Sequence, residues 1–187
     1  MYYKLWREPL IDKDYNTYTY YEFKVCNKED EEFDWFYGVK FPNPPSHILK
    51  LSVILDDPLA ITFEDYVYNP IPMVSERLKS VLDACGVSNI DYYPVEIINA
   101  EKFDKIPKYY AINVVGLIAA ADRDKSEYTE AFGQMGATLF DRFVLNEDAV
   151  RNIDLFRLAE QFSTIVVSER IKQACEKANI ETLRFLE

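Results

Sequence analysis

Residues 74–86, VSERLKSVLDACG, are written again at residues 167–179 as VSERIKQACEKAN, with Val, Ser, Glu, Arg and Lys in the same places. In the first copy Leu78, Val81, Leu82 and Cys85 fall at i, i+3, i+4 and i+7, and in the second Ile171, Ala174, Cys175 and Ala178 take those positions. That spacing gives each copy an amphipathic helix. Ser75 and Ser168 stand where an N-cap belongs, and Glu76 and Glu169 set negative charge against the positive helix end. Gly86 and Asn179 follow the last apolar residue, and both types tolerate the left-handed backbone that closes a helix. Beyond the turn, Val87, Ile90 and Tyr92 match Ile180, Leu183 and Phe185, as expected of a strand. The repeat therefore reads as a helix-turn-strand unit used twice, with Ser75, Glu76, Ser168 and Glu169 starting the helices. Arg77, Arg170, Lys79 and Lys172 suit helix propensity and salt-bridging, so a pair of Ser-Glu-Arg active sites is the weaker reading. Two copies are too few for a solenoid and predict one fold with two related lobes or corners.

Outside the repeat, period-two alternation dominates. MYYKLW, TYTYYEFKV and DWFYGVKF near the N-terminus alternate aromatic and polar residues and predict half-buried strands. CNKEDEE reads as a charged turn, and the prolines of PNPPSH force a loop. ILKLSVIL alternates again until DDP stops it, and YNPIP marks the best internal boundary. Between the copies, KYYAINVVGLIAAADRDKSEY begins as an apolar strand and turns to charge at Asp122. ATLFDRFVL and IDLFRLAE are two further strand candidates around the turn NEDAVRN. The expected fold class is α+β, a mainly antiparallel sheet with a few helices and two related helix-turn-strand units. The expected organisation is one compact domain over 1–187, with an aromatic strand-rich part at 1–68 and the duplicated part at 69–187.

Composition narrows the function. The chain has 187 residues and a net charge of −11, which opposes nucleic-acid binding and favours a basic protein partner. Only 5 glycines argue against a glycine-rich phosphate loop. Cys26, Cys85 and Cys175 lie far apart, indicating reduced thiols and no cysteine zinc site. No signal segment or membrane-length apolar run is present in the sequence, so a cytoplasmic location is expected. No cofactor or metal is indicated, and a homo-oligomer pairing through a strand edge stays open.

Three groups carry candidate chemistry. His47, the single histidine, would have to serve any histidine-dependent nucleophile, though a loop position suits it better. Asp122, Asp124, Ser126 and Glu127 could bind a divalent ion or act as acid and base in a small metal-dependent hydrolase. A solvated turn has the same composition, and no metalloprotease, hydrolase or phosphate-loop motif accompanies them. Glu29, Asp30, Glu31, Glu32 and Asp34 adjoin Trp35, Phe36 and Tyr37, a pattern suited to a protein interface in which charge speeds encounter and aromatics supply burial.

The ordered set YYAINVVGLIAAADRDKSEY, IDLFRLAE and IVVSERIKQACEKANIETLRFLE resembles a bacterial immunity-protein family of polymorphic toxin systems, and VSERLKSVLDACG resembles that family's earlier Val-Ser helix. The likeness spans residues 69–187, while 1–68 match in general character alone. It departs after the last helix, where IETLRFLE replaces a Gly-rich closing turn. The resemblance implies a non-enzymatic protein that binds and neutralises a cognate toxin, and it assigns no contact residues.

Overall fold

Strands β1 (Tyr2–Arg7), β2 (Tyr21–Val25), β3 (Leu49–Leu55), β4 (Tyr66–Val67) and β5 (Met73–Ser75) lead into helix α1 (Glu76–Ala84). Then follow β6 (Ile90–Ile97), β7 (Tyr109–Val114), β8 (Leu117–Ile118), β9 (Glu127–Glu130), β10 (Thr138–Arg142), β11 (Leu155–Leu158) and β12 (Ile165–Ser168). Helix α2 (Glu169–Lys177) and β13 (Leu183–Leu186) close the order. The computed structural model describes residues 1–7, 21–55, 63–103, 105–130 and 138–186. The first four residues of TYTYYEFKV and the DDP stop lie outside the described residues.

A six-stranded sheet runs β2-β3-β6-β7-β5-β4, a five-stranded sheet runs β13-β1-β12-β11-β8, and β9 pairs with β10. Among the described residues, β3 with β6 and β8 with β11 are parallel, and the other strand pairs are antiparallel. The fold is thus α+β and mainly sheet.

The duplication extends well beyond the repeated phrase. In the six-stranded sheet β7 lies between β6 and β5, with β4 outside β5. In the five-stranded sheet β1 lies between β13 and β12, with β11 outside β12. Registers agree residue for residue: Val74 opposes Tyr110 as Val167 opposes Tyr3, and Tyr92 opposes Ile112 as Phe185 opposes Leu5. Tyr66 opposes Val74 just as Leu155 opposes Val167. The N-terminal strand is therefore part of the duplicated architecture. It fills in the second unit the slot that β7 fills in the first.

Local chemistry explains why each unit closes alike. Gly86 and Asn179 adopt positive φ of 71° and 54°. The Val87 N–H then reaches the Leu82 carbonyl and Gly86 reaches Asp83, as Ile180 reaches Cys175 and Asn179 reaches Glu176. This paired 6→1 and 5→2 bonding satisfies the orphan carbonyls of both helices. α1 packs on α2, and Leu78, Leu82, Ile171 and Cys175 share one core with Tyr3, Leu5, Ile112 and Val114.

Two expected strands differ. DWFYGVKF forms turns, because Trp35 and Phe41 both enter the core and Gly38 takes φ 65°, which reverses the backbone between them. The long strand expected from YYAINVVGLIAAA stops at Val114, bends at Gly116 with φ 101°, and resumes as the short β8.

Candidate partner-binding surface

The repeated Ser-Glu-Arg is built around a residue it does not contain. Asp65, just before β4, is buried and accepts hydrogen bonds from the Ser75 hydroxyl at 2.5 Å and from Arg77 Nη2 and Nε at 2.6 and 3.2 Å. Asp154, just before β11, takes the equivalent place: the Ser168 hydroxyl donates to it at 2.6 Å, and Arg170 clamps it with Nε and Nη2. The backbone repeats this, with Ser75 N–H on the Asp65 carbonyl and Ser168 N–H on that of Asp154, both at 2.8 Å. Each Ser-x-Arg is thus an aspartate clamp joining a helix start to the neighbouring strand.

The two copies differ in detail. Ser75 also accepts from the Leu78 N–H at 3.1 Å and caps α1. Ser168 occupies the cap position of α2, but its side chain makes no cap bond. Its hydroxyl turns to Asp154 instead, a correction to its expected role. Glu76 and Glu169 bind side chains of the inserted strands and their surroundings: Glu76 takes Lys108 at 2.7 Å and Tyr110 at 3.3 Å, and Glu169 takes Tyr3 at 2.5 Å. Thr182 from the second unit donates to Asp65 at 2.8 Å, while Asn89 from the first donates to the Leu155 carbonyl at 3.1 Å. The units interlock through these reciprocal bonds.

Ionisation follows from the geometry. Burial works against ionised Asp65, but the bonds from Arg77, Ser75 and Thr182 outweigh it and hold the carboxyl below its ordinary value. Arg170, opposed by partial burial and helped by Ser168, does the same for Asp154.

The acidic aromatic segment divides sharply. Trp35 is 1% exposed, its indole N–H donates to the Asp30 carbonyl at 2.8 Å, and its ring meets Phe41 and Tyr93 at 5.0 and 5.5 Å. Asp30 is itself buried, with His47 Nε2 at 2.9 Å from its Oδ1. The expectation that Trp35 and Asp30 face a partner is therefore corrected: both are committed to the interior, where Trp35 gains full apolar burial. Tyr37 is half-buried against Phe162. Glu29, Glu31, Glu32 and Asp34 are exposed and form no ion pair among the described residues.

Several anchors absent from the sequence reading fix this segment. Arg157 is fully buried, donates to the Phe162 and Trp35 carbonyls at 2.7 and 3.3 Å, and lies over the Phe36 ring. Burial lowers its pKa from the usual arginine value, which an arginine tolerates while staying charged. Asn113 donates to the Val39 carbonyl at 2.7 Å, and Gly116 N–H to the Gly38 carbonyl at 2.7 Å. A Cβ at Gly38 would meet Leu117 Cγ at 2.9 Å, so the approach of the two turns requires glycine.

In the Asp122 cluster, Asp122, Ser126 and Glu127 have partners within the turn or across at the end of β10. Asp122 binds Lys125 Nζ at 2.7 Å, which holds its carboxyl below the usual range. Ser126 Oγ accepts from the Val144 N–H, and Glu127 pairs with Arg142. Among the described residues no group of three or more His, Cys, Asp or Glu is placed to hold a metal ion.

Against known families, the model described as immunity protein family (Imm11) matches residues 16–187. The chain belongs to this immunity protein family. The match reaches far upstream of residue 69, where the resemblance in sequence began, and takes the acidic segment within the family's span. No curated relative matches the sequence. Membership implies a cognate toxin as the partner of this Imm11 protein.

Proposed function

We propose that the chain neutralises a bacterial toxin of a polymorphic system by binding it in the cytoplasm of the producing cell, without catalysis of its own. The observation that carries the contact surface is the set of exposed, ion-pair-free carboxylates of Glu29, Glu31, Glu32 and Asp34, held on a turn that the core immobilises. Such charges attract a basic toxin over distance, and their fixed backbone limits the ordering cost of binding.

The test uses the cognate toxin and measures association by stopped flow. Replacing Glu29, Glu31 and Glu32 with Gln should slow association by about tenfold at low ionic strength and flatten its salt dependence. Thermal stability should stay within about 0.5 kcal/mol, since exposed charges contribute little to folding. Unchanged association across salt concentrations would move the interface elsewhere.

A further inference from the structure

The outer face of β2, β3 and β6 is covered by nothing among the described residues. Side chains 22, 24 and 26 of the β2 region, 48, 50, 52 and 54 of the β3 region, and 94, 96 and 98 of the β6 region point away from the core that holds Phe23, Val25, Leu49, Leu51 and Val53. Ile48, Ile54 and Ile98 are each about half exposed there. Ile54 lies opposite Glu22, and Ile98 continues β6 through a backbone bond to Leu51, beside Ser52. Three half-exposed isoleucines set among exposed charged side chains make this sheet face a candidate contact surface.

Its charge identifies the occupant. The protein carries −11, yet this face holds Glu22 and Glu96 against Lys24 and Lys50 and is formally neutral. A basic toxin gains little from it, whereas a second copy, repelled by the acidic surface elsewhere, is repelled least here. Lys50 already pairs with Glu96 at 3.7 Å. Glu22 and Lys24 have no ion pair among the described residues and stand one residue either side of Phe23. A two-fold axis crossing β2 at right angles at Phe23 sets Glu22 of one copy against Lys24 of the other, twice over. The same operation brings the Ile54 row of one copy onto the Ser52 and Ile98 row of the other.

We infer that this face is a self-complementary contact between two copies of the chain. It lies on the opposite side of the sheet from the Trp35 turn, so two copies can associate with both acidic segments uncovered.

Sedimentation velocity across a concentration series tests this on the wild type and on Glu22→Lys, Lys24→Glu, the double exchange, and Ile54→Glu with Ile98→Glu. The wild type should be dimeric, and each single reversal should weaken association by about tenfold or more, because like charges then meet at both contacts. The double exchange restores both pairs and should return the dimer to within a few-fold of wild type. The isoleucine variant should be monomeric with an unchanged melting temperature. A wild type that stays monomeric at about 100 μM, well above the dissociation constant of a specific dimer, overturns the inference. So does a dimer indifferent to these changes, or a double exchange that dissociates as badly as the singles. A monomeric wild type whose isoleucine variant loses toxin binding would assign the face to the toxin instead. Slowed toxin association in the Gln variant is a separate readout, so failure of one proposal is distinguishable from failure of the other.

Discussion

Removing the carboxylate at Asp65 should destabilise the protein far more than removing its counterpart at Asp154, although the two hold the same Ser and Arg. Asp65 is 3% exposed and gathers three side chains, one of them Thr182 from the other unit. Asp65→Ala leaves the Ser75 and Thr182 hydroxyls facing a buried void, while the half-exposed Arg77 head is partly resolvated. Breaking a buried charged cluster of this kind costs about 3–5 kcal/mol, and solvation of Arg77 favours the lower end. The Asp154 side chain is 30% exposed and no third side chain binds its carboxylate among the described residues, so Asp154→Ala should cost about 1–2 kcal/mol. In urea unfolding, with m near 2 kcal/mol/M, the midpoint should fall by roughly 1.5–2.5 M in the first variant and by roughly 0.5–1 M in the second.

The pH dependence has a fixed sign. Both carboxyls sit below their ordinary value of 3.8, so their stabilisation is complete above that pH and is lost as pH falls through the lower folded value. The gap between wild type and Asp65→Ala should therefore be constant near neutrality and close in strong acid. Equal losses in the two variants, or a gap that persists unchanged to the limit of acid unfolding, would refute the reasoning.

Trp35→Ala should cost about 3–5 kcal/mol by opening the core between Phe41 and Tyr93, and any loss of toxin binding should track the unfolded fraction. Urea unfolding and binding on one sample check this, and binding lost from a fully folded variant would return Trp35 to the interface. With an aromatic disulfide reagent, exposed Cys26 should react promptly in the native monomer, the state expected of the Ile54→Glu, Ile98→Glu variant. Cys175, buried and with its thiol pushed up to about 12 by that burial, should react after denaturation. Native labelling of Cys175 at the Cys26 rate would contradict the packing of α2.

The helix-turn-strand units are legible in the sequence because their signals are local: an apolar stripe, a Ser at the start, and a Gly or Asn at the end. Their aspartates are not, because Asp65 precedes Ser75 by 10 residues and Asp154 precedes Ser168 by 14, so no constant spacing exposes the match. The shared slot of β1 and β7 is hidden for a related reason. Strand pairing is set by the whole sheet, and the only local trace is the Tyr-Tyr of MYYKLW and KYYAIN. Trp35 and Asp30 misled because composition shows which residues are adjacent but not which way they point. Gly38 reverses the chain just beyond the tryptophan, Trp35 and Asp30 turn inward, and Glu29, Glu31, Glu32 and Asp34 stay outside.

That reversal bears on how the acidic turn can serve a partner. Four exposed carboxylates within six residues repel one another, and none is compensated by an ion pair among the described residues. Their spacing is kept by groups beneath them: the Trp35 indole on the Asp30 carbonyl, Arg157 on the Trp35 carbonyl, and Asn113 on that of Val39. Arg157 belongs to β11 and Asn113 to β7, so the two units jointly brace the turn. The charges thus add nothing to the fold that holds them, and the fold does not depend on them. On the proposed reading, a surface assembled this way can exchange its carboxylates to suit another toxin while the aspartate clamps and the aromatic core stay as they are.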